Sequence, residues 1–303
     1  MIALPVGEDL IEDTAFRLLR RAAVELPSDY LELLRKAHRS ETNGQAKVIL
    51  ETIIDAALVA KEESRPVCQD TGIPVFLVTL GEHAEIGDVQ TALAKATERA
   101  TKTTPLRENV VHPLTLRNPG TNIGPRVPYI IYDYKPGANY VEITAIPRGG
   151  GSSFATALSR VFSGTSHLTS IKRAVIDAVV GARYACPPLV VGVCIGGYPD
   201  MAMCEATKAV FRTPTGTPHP DPEVAGLERE LFEAVNRLGI GPSGLGGDTT
   251  ALALHIEVCG SHTAFSSVAV AFSCWALRRS TARIHSDGTV QYLTHHEEGL
   301  SDE

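Results

Sequence analysis

The chain has 303 residues, a formal net charge of −7 and a pI near 5.8. It is long enough for one large α/β domain or two smaller ones, and it offers no basic footprint for nucleic acid. No stretch is apolar for long enough to cross a bilayer, and "MIALPVGEDLIED" has no basic segment leading into an apolar run. A cytoplasmic protein without leader or membrane span is therefore expected.

In chain order, "EDLIEDTAFRLLRRAAVEL" and "AKVILETIIDAALVAKEES" space Leu, Ile, Val and Ala at three and four residues, which predicts two packing helices. Between the second helix and the apolar strand "PVFLVTLG" lies "RPVCQDTG", residues 65–72. Pro66 fixes one backbone angle and Gly72 permits a positive one, so the segment reads as a shaped turn. A helix "GDVQTALAKATERATK" starts near an aspartate cap, and a long loop with little periodicity covers residues 104–128. Strands "YIIYDY" and "VEITAIP" precede "RGGGSS", whose glycines Gly149, Gly150 and Gly151 allow a backbone to approach a ligand and turn N–H groups toward an anion. A flexible connector is the other reading of that stretch.

Residues 166–185 read as a helix, "CPPLVVGVCIGG" as an apolar strand and "DMAMCEATKAVFR" as a helix with Cys204 on its buried face. A further helix begins at "HPDPEVAGL", and "GIGPSGLGGDTT" is a second glycine-rich loop. The strands "ALALHIEVCG" and "SSVAVAFSC" flank a turn holding His262, and Asp287-Gly288 marks a closing hairpin. The longest run without Asp, Glu, Lys or Arg, 258–277, suits a buried sheet or a site wall. Together these elements predict an α/β chain with a helical first third followed by mixed sheets flanked by helices. No repeat or clean domain boundary divides residues 1–303.

Six cysteines without a C-x-x-C pair speak against zinc ribbons, and the length speaks against a disulfide framework. Cys68, Cys186 and Cys274 sit at turns or strand ends beside proline or glycine-rich sequence, whereas Cys194, Cys204 and Cys259 lie inside apolar elements and read as core thiols. His262 lies in a Gly-Ser-His-Thr turn, where a lone histidine is ordinarily a capped or solvated turn residue. There is no phosphate loop, no H-E-x-x-H, no dinucleotide fingerprint and no G-x-S-x-G elbow, which lowers phosphoryl transfer, hydride transfer and serine hydrolysis.

"RPVCQDTG", "GGGSS", "ACPPLVVGVCIGG", "GLGGDTT" and "AVAFSCWALRR", in this order, resemble the alpha subunit of the two-subunit class I fumarate hydratases and L(+)-tartrate dehydratases. The resemblance implies a [4Fe-4S] cluster on Cys68, Cys186 and Cys274, with one iron that no cysteine holds. It implies Asp70 as a catalytic acid, His262 in contact with substrate, and Gln69, Arg107, Gly149, Gly150 and Gly151 as substrate-binding positions. Loss of a proton beside a carboxylate builds negative charge, which is why cationic and N–H donors are wanted there. Arg126 shares the loop of Arg107 but is not covered by the resemblance.

Single-chain relatives continue into a second domain with a threonine base, so a separate beta subunit is expected, as an α2β2 heteromer acting on a small dicarboxylate or hydroxy-dicarboxylate. Fumarate–malate leads as substrate and L(+)-tartrate stands as the alternative, because "GGGSSFA" departs from the fumarate hydratase pattern. From other classes, a non-catalytic iron–sulfur sensor would need no Asp70, His262 or arginine loop, and a cluster-free metabolite-binding protein with buried thiols would be colourless when prepared without oxygen.

Overall fold

The computed structural model describes residues 6–104, 106–164 and 166–295, so the leader reading at residues 1–5, Pro105 of the long loop and the tail from 296 lie outside it. In chain order the helices and strands are α1 (Glu8–Val24), α2 (Ser28–Ser40), α3 (Gly44–Glu62), β1 (Ile73–Gly81), α4 (Val89–Thr103), β2 (Tyr129–Lys135), β3 (Tyr140–Arg148), α5 (Gly150–Phe154) and β4 (Ala157–Phe162). There follow α6 (His167–Gly181), β5 (Leu189–Ile195), α7 (Pro199–Val210), α8 (Pro222–Asn236), β6 (Ala251–Val258), β7 (Phe265–Ser273), β8 (Ser280–His285) and β9 (Val290–Tyr292). Mixed helices and sheets confirm the α/β class. No helix among the described residues is long and apolar enough to cross a membrane.

The chain forms two compact units. The first comprises Met1–Ser28, Ala57–Gly149 and Arg278–Glu303; the second comprises Asp29–Ala56 and Gly150–Leu277.

In the first unit a five-stranded sheet has the order β2-β1-β3-β8-β9. Strand β1 runs parallel to β2 and antiparallel to β3, with Ile73 opposite Arg148 and Val75 opposite Tyr129. Ile11, Ala15, Leu18, Leu19 and Ala22 form one buried stripe along α1 at the spacing a helix needs to present a single apolar face. That stripe packs with Leu93 of α4 and with Phe76, Val78, Val141, Ile143 and Ile284 of the sheet. At about 1.5–3 kcal/mol for each large side chain removed from water, this packing is what holds the helices to the sheet. The Asp88 side chain accepts the Thr91 N–H at 3.0 Å and starts α4. Asp287 and Gly288, the latter at φ 85, turn the β8–β9 hairpin as expected.

The second unit contains a four-stranded sheet of order β4-β7-β5-β6, in which β5 is parallel to β6 and antiparallel to β7. Every residue of β5 except Ile195 is buried, the continuous apolar pattern of a strand covered on both faces. One buried cluster joins Val175 and Val179 of α6, Leu231 and Val235 of α8, and Val191, Val193, Ile256 and Phe272 of the sheet. The "GLGGDTT" loop is anchored by Glu41, a buried carboxylate just past α2 that accepts the Asp248 and Thr249 N–H groups at 2.9 and 3.1 Å and the Thr249 hydroxyl at 2.8 Å.

Candidate functional site

Residues 65–72 form neither helix nor strand, and the bracketing by Pro66 and Gly72 does what the sequence implied. In the first unit the Asp70 carboxylate folds back on its own chain: Oδ1 accepts the Gly72 N–H at 3.0 Å, an aspartate turn. Asn109 reinforces it, its Nδ2 donating to the Gly72 carbonyl at 3.0 Å and to Asp70 Oδ1 at 3.4 Å. The buried Thr71 hydroxyl accepts the Arg107 N–H at 2.9 Å. Gly72 stands at φ +82, and a Cβ there would lie 2.6–2.7 Å from the backbone of Pro147 and Arg148, so only glycine lets the turn enter β1 against β3.

The loop at 106–128 is ordered around Asn122. Its buried side chain accepts the N–H groups of Asn109 and Val110 at 2.8 and 3.2 Å and donates to the Arg107 carbonyl at 3.0 Å and the Thr101 hydroxyl at 3.1 Å. Arg107 therefore has a fixed backbone and an exposed side chain; Arg126 is exposed too, at φ +62, with no contact to the turn among those seen. The same loop encloses a cavity of about 620 Å³ lined by Val110, His112, Arg117 and Asn118, which contains none of the expected site residues.

Gly149 closes this side of the turn: a Cβ there would sit 3.3 Å from Asp70 Oδ2 and 3.0 Å from Nη2 of Arg278. Arg278, which the sequence reading did not single out, donates from Nη1 to the Asp70 carbonyl at 2.6 Å, and its buried Nε has no hydrogen-bond partner. Arg148, next to Gly149, is also largely buried, and burial lowers the pKa of its guanidinium. The available hint was position: Arg278-Arg279 ends the longest uncharged run of the chain.

In the second unit, Cys186 and Cys274 lie on segments tied together, the Trp275 N–H donating to the Cys186 carbonyl at 3.0 Å. Cys274 follows directly on β7, while Cys186 is exposed at the turn into β5. Tyr30 of α2 is fully buried, its hydroxyl has no hydrogen-bond partner, and burial followed by the Cys274 sulfur pushes its pKa well up. Gly150 and Gly151 open the short helix α5 rather than a flexible connector, and a Cβ on Gly151 would collide with the Tyr184 carbonyl. His262 is exposed; its Nδ1 accepts the Ala264 N–H at 3.1 Å, and its ring stacks on Phe265 with centroids 5.1 Å apart. With Nδ1 accepting, the neutral ring carries its proton on Nε2.

Of the residues expected together, Cys68, Gln69, Asp70, Arg107 and Gly149 belong to the first unit, and Cys186, Cys274, His262, Gly150 and Gly151 to the second. Among the described residues no group of three or more His, Cys, Asp or Glu stands as a metal-binding cluster. Within each unit the donor chemistry suits an iron–sulfur group: the first has the Cys68 thiol outside the core and an unpartnered guanidinium N–H beside Asp70, the second the Cys186 and Cys274 thiols outside the core and the buried unpartnered Tyr30 hydroxyl. Of the three expected core thiols Cys194 is buried, while Cys204 and Cys259 are partly exposed.

Residues 12–283 match the family described as "Fumarate hydratase (Fumerase)". The chain is 40% identical over 285 residues to a Methanocaldococcus jannaschii protein provisionally named L(+)-tartrate dehydratase subunit alpha, covering 92% of this chain and 99% of that one. It is 36% identical over 275 residues to the L(+)-tartrate dehydratase subunit alpha of Escherichia coli K12 and to that of Shigella sonnei, covering 90% of each chain. Similarity that spans nearly the whole chain and includes the Cys-Gln-Asp-Thr-Gly turn leaves one assignment: the chain belongs to the fumarate hydratase (Fumerase) family of hydro-lyases.

Proposed function

We propose that the chain is the alpha subunit of a two-subunit hydro-lyase that adds water to, or removes it from, a small dicarboxylate, with Cys68, Cys186 and Cys274 holding a [4Fe-4S] cluster. When bound, the cluster supplies Lewis-acid chemistry at the iron that no cysteine holds. The observation that carries the reading is the state of Asp70: one carboxylate oxygen is fixed by Gly72 and Asn109, while the other faces Gly149 and the Arg278 guanidinium. A carboxyl held in one orientation can deliver a proton to a leaving hydroxyl and take it back in the reverse direction.

Arg278 and Arg107 supply positive charge for a substrate carboxylate, and Gln69 supplies an amide donor. His262, with its proton on Nε2, donates to a substrate oxygen. The proton on carbon must be taken by a base from a beta subunit, and we expect an α2β2 assembly, in line with the prevalence of two-fold symmetry. Fumarate–malate is the first substrate reading, after the family. L(+)-tartrate is the second, favoured by the names of the relatives and by Ser153-Phe154-Ala155 after the glycines.

The test is to purify the chain with its candidate beta subunit under nitrogen, record the visible spectrum and assay fumarate, malate and L(+)-tartrate. A brown protein that turns over one of them, while the chain alone does not, supports the proposal. A colourless protein that is active after chelation refutes it.

A further inference from the structure

We propose that Cys194 and Cys259 form a reversible disulfide across the ends of β5 and β6, a modification site at the base of the loop that carries His262. The two sulfurs are 3.6 Å apart, in contact without a bond. The strands place them there: in the parallel pair Cys194 lies opposite Glu257, so Cys259 is two residues further along and on the same face. The Cys259 N–H donates to the Ile195 carbonyl at 2.9 Å, which fixes the two backbones side by side. Closing to a bond of about 2.05 Å requires the sulfurs to approach by about 1.5 Å, which draws the chain at Cys259 toward the end of β5.

The two thiols differ in access. Cys194 is buried, and its burial together with Cys259 raises its pKa; Cys259 is partly exposed. Cys259 therefore meets the oxidant, for which we take hydrogen peroxide. Its thiolate attacks one oxygen, the O–O bond breaks, hydroxide leaves and a sulfenic acid forms. Cys194 then attacks that sulfur, the S–O bond breaks and water leaves, so two thiols and one peroxide give one disulfide and two waters. A small thiol returns both cysteines to the reduced state.

The consequence falls on the next three residues, Gly260, Ser261 and His262. That loop is held by the Gly197 N–H donating to the Gly260 carbonyl at 3.1 Å and by the Ser261 hydroxyl donating to Ser266 at 2.8 Å. A bond at Cys259 displaces its base. The disulfide itself does not depend on the proposed reaction; its effect on substrate does, because it rests on the role of His262.

The experiment treats the full chain with hydrogen peroxide, blocks free thiols with N-ethylmaleimide and maps the digest by mass spectrometry. The expected result is a peptide pair linked through Cys194 and Cys259 as the major product of both cysteines, abolished by dithiothreitol. In Cys194→Ala, Cys259 should instead be trapped by dimedone as the sulfenic acid. The proposal is overturned if both cysteines still take the maleimide once the exposed Cys186 has been oxidised, or if dimedone fails to label Cys259 in Cys194→Ala. Loss of turnover after peroxide treatment with Cys194 and Cys259 still unlinked would count against the inference and leave the hydro-lyase reading untouched.

Discussion

Gly72→Ala tests whether the turn is held by its approach to β3. The residue has φ +82, which costs an L-amino acid roughly 1–2 kcal/mol. The added methyl would also stand 2.6–2.7 Å from three backbone atoms of Pro147 and Arg148, which cannot rotate away as a side chain would. Overpacking of this kind adds about 1–3 kcal/mol, for a total of about 2–5 kcal/mol. Gly137→Ala provides the comparison, because Gly137 has a similar φ of +72 and nothing within 4 Å of its missing Cβ, so only the backbone cost of about 1–2 kcal/mol applies. Urea unfolding followed by circular dichroism reads both. The expected outcome is a midpoint for Gly72→Ala well below that of Gly137→Ala, at unchanged slope. Equal midpoints would show that the close approach to Pro147 carries no energy and that the turn owes its shape to φ alone.

Cys68→Ser, Cys186→Ser and Cys274→Ser should each abolish the brown absorption, because a hydroxyl is a poor substitute for a thiolate on iron, while Cys194→Ala and Cys204→Ala keep it; colour retained in any of the first three contradicts the ligand set. Asp70→Asn, assayed with the beta subunit, should leave the spectrum unchanged and lower kcat by roughly 10²–10⁴-fold, the usual worth of a general acid, and a near-normal rate would remove Asp70 from the chemistry. His295 has a pKa pushed down to about 4 from 6.5, first by burial, with Arg21 and Lys61 adding to the shift and Glu25 opposing it. The unfolded chain binds this proton below pH 6.5 and the folded chain only near 4, so stability is lost as pH falls through that window. At about 1.4 kcal/mol for each pH unit the loss is about 3 kcal/mol. His295→Gln should flatten the pH dependence of the urea midpoint between pH 4 and 6.5, and an unchanged slope would refute the assignment.

Short-range chemistry made much of this fold legible. The aspartate cap of α4, the Asp-Gly hairpin and the Pro66–Gly72 turn are each set by residues within a few positions of one another, and each is found where the sequence put it. Of the elements that escaped, α2, α5 and β4, two did so for identifiable reasons. Helix α2 buries only Tyr30, Leu34 and Ala37, too narrow a stripe to stand out among its charges. Strand β4 pairs only with β7 among the described residues and buries only Val161, so its sequence carries little apolar signal. The contacts around Asp70 escaped for another reason, since Arg278 reaches it across 208 residues and no local rule spans that distance.

The turn itself shows where the local reading ends and chemistry begins. Asp70 Oδ1, Thr71 and Gly72 all serve the shape of the segment, through hydrogen bonds to Gly72, Arg107 and Asn109. The Cys68 thiol and the exposed Gln69 amide make no such bond among the described residues. A turn needed only for structure would have no use for a thiol and an amide at its apex, since neither supports the backbone. Such a turn would tolerate Cys68→Ala and Gln69→Ala without loss of stability, whereas Thr71→Ala would leave the Arg107 N–H without its acceptor at a cost of about 1–3 kcal/mol. The division runs between adjacent residues, the last three holding the geometry and the first two making no bond that supports it.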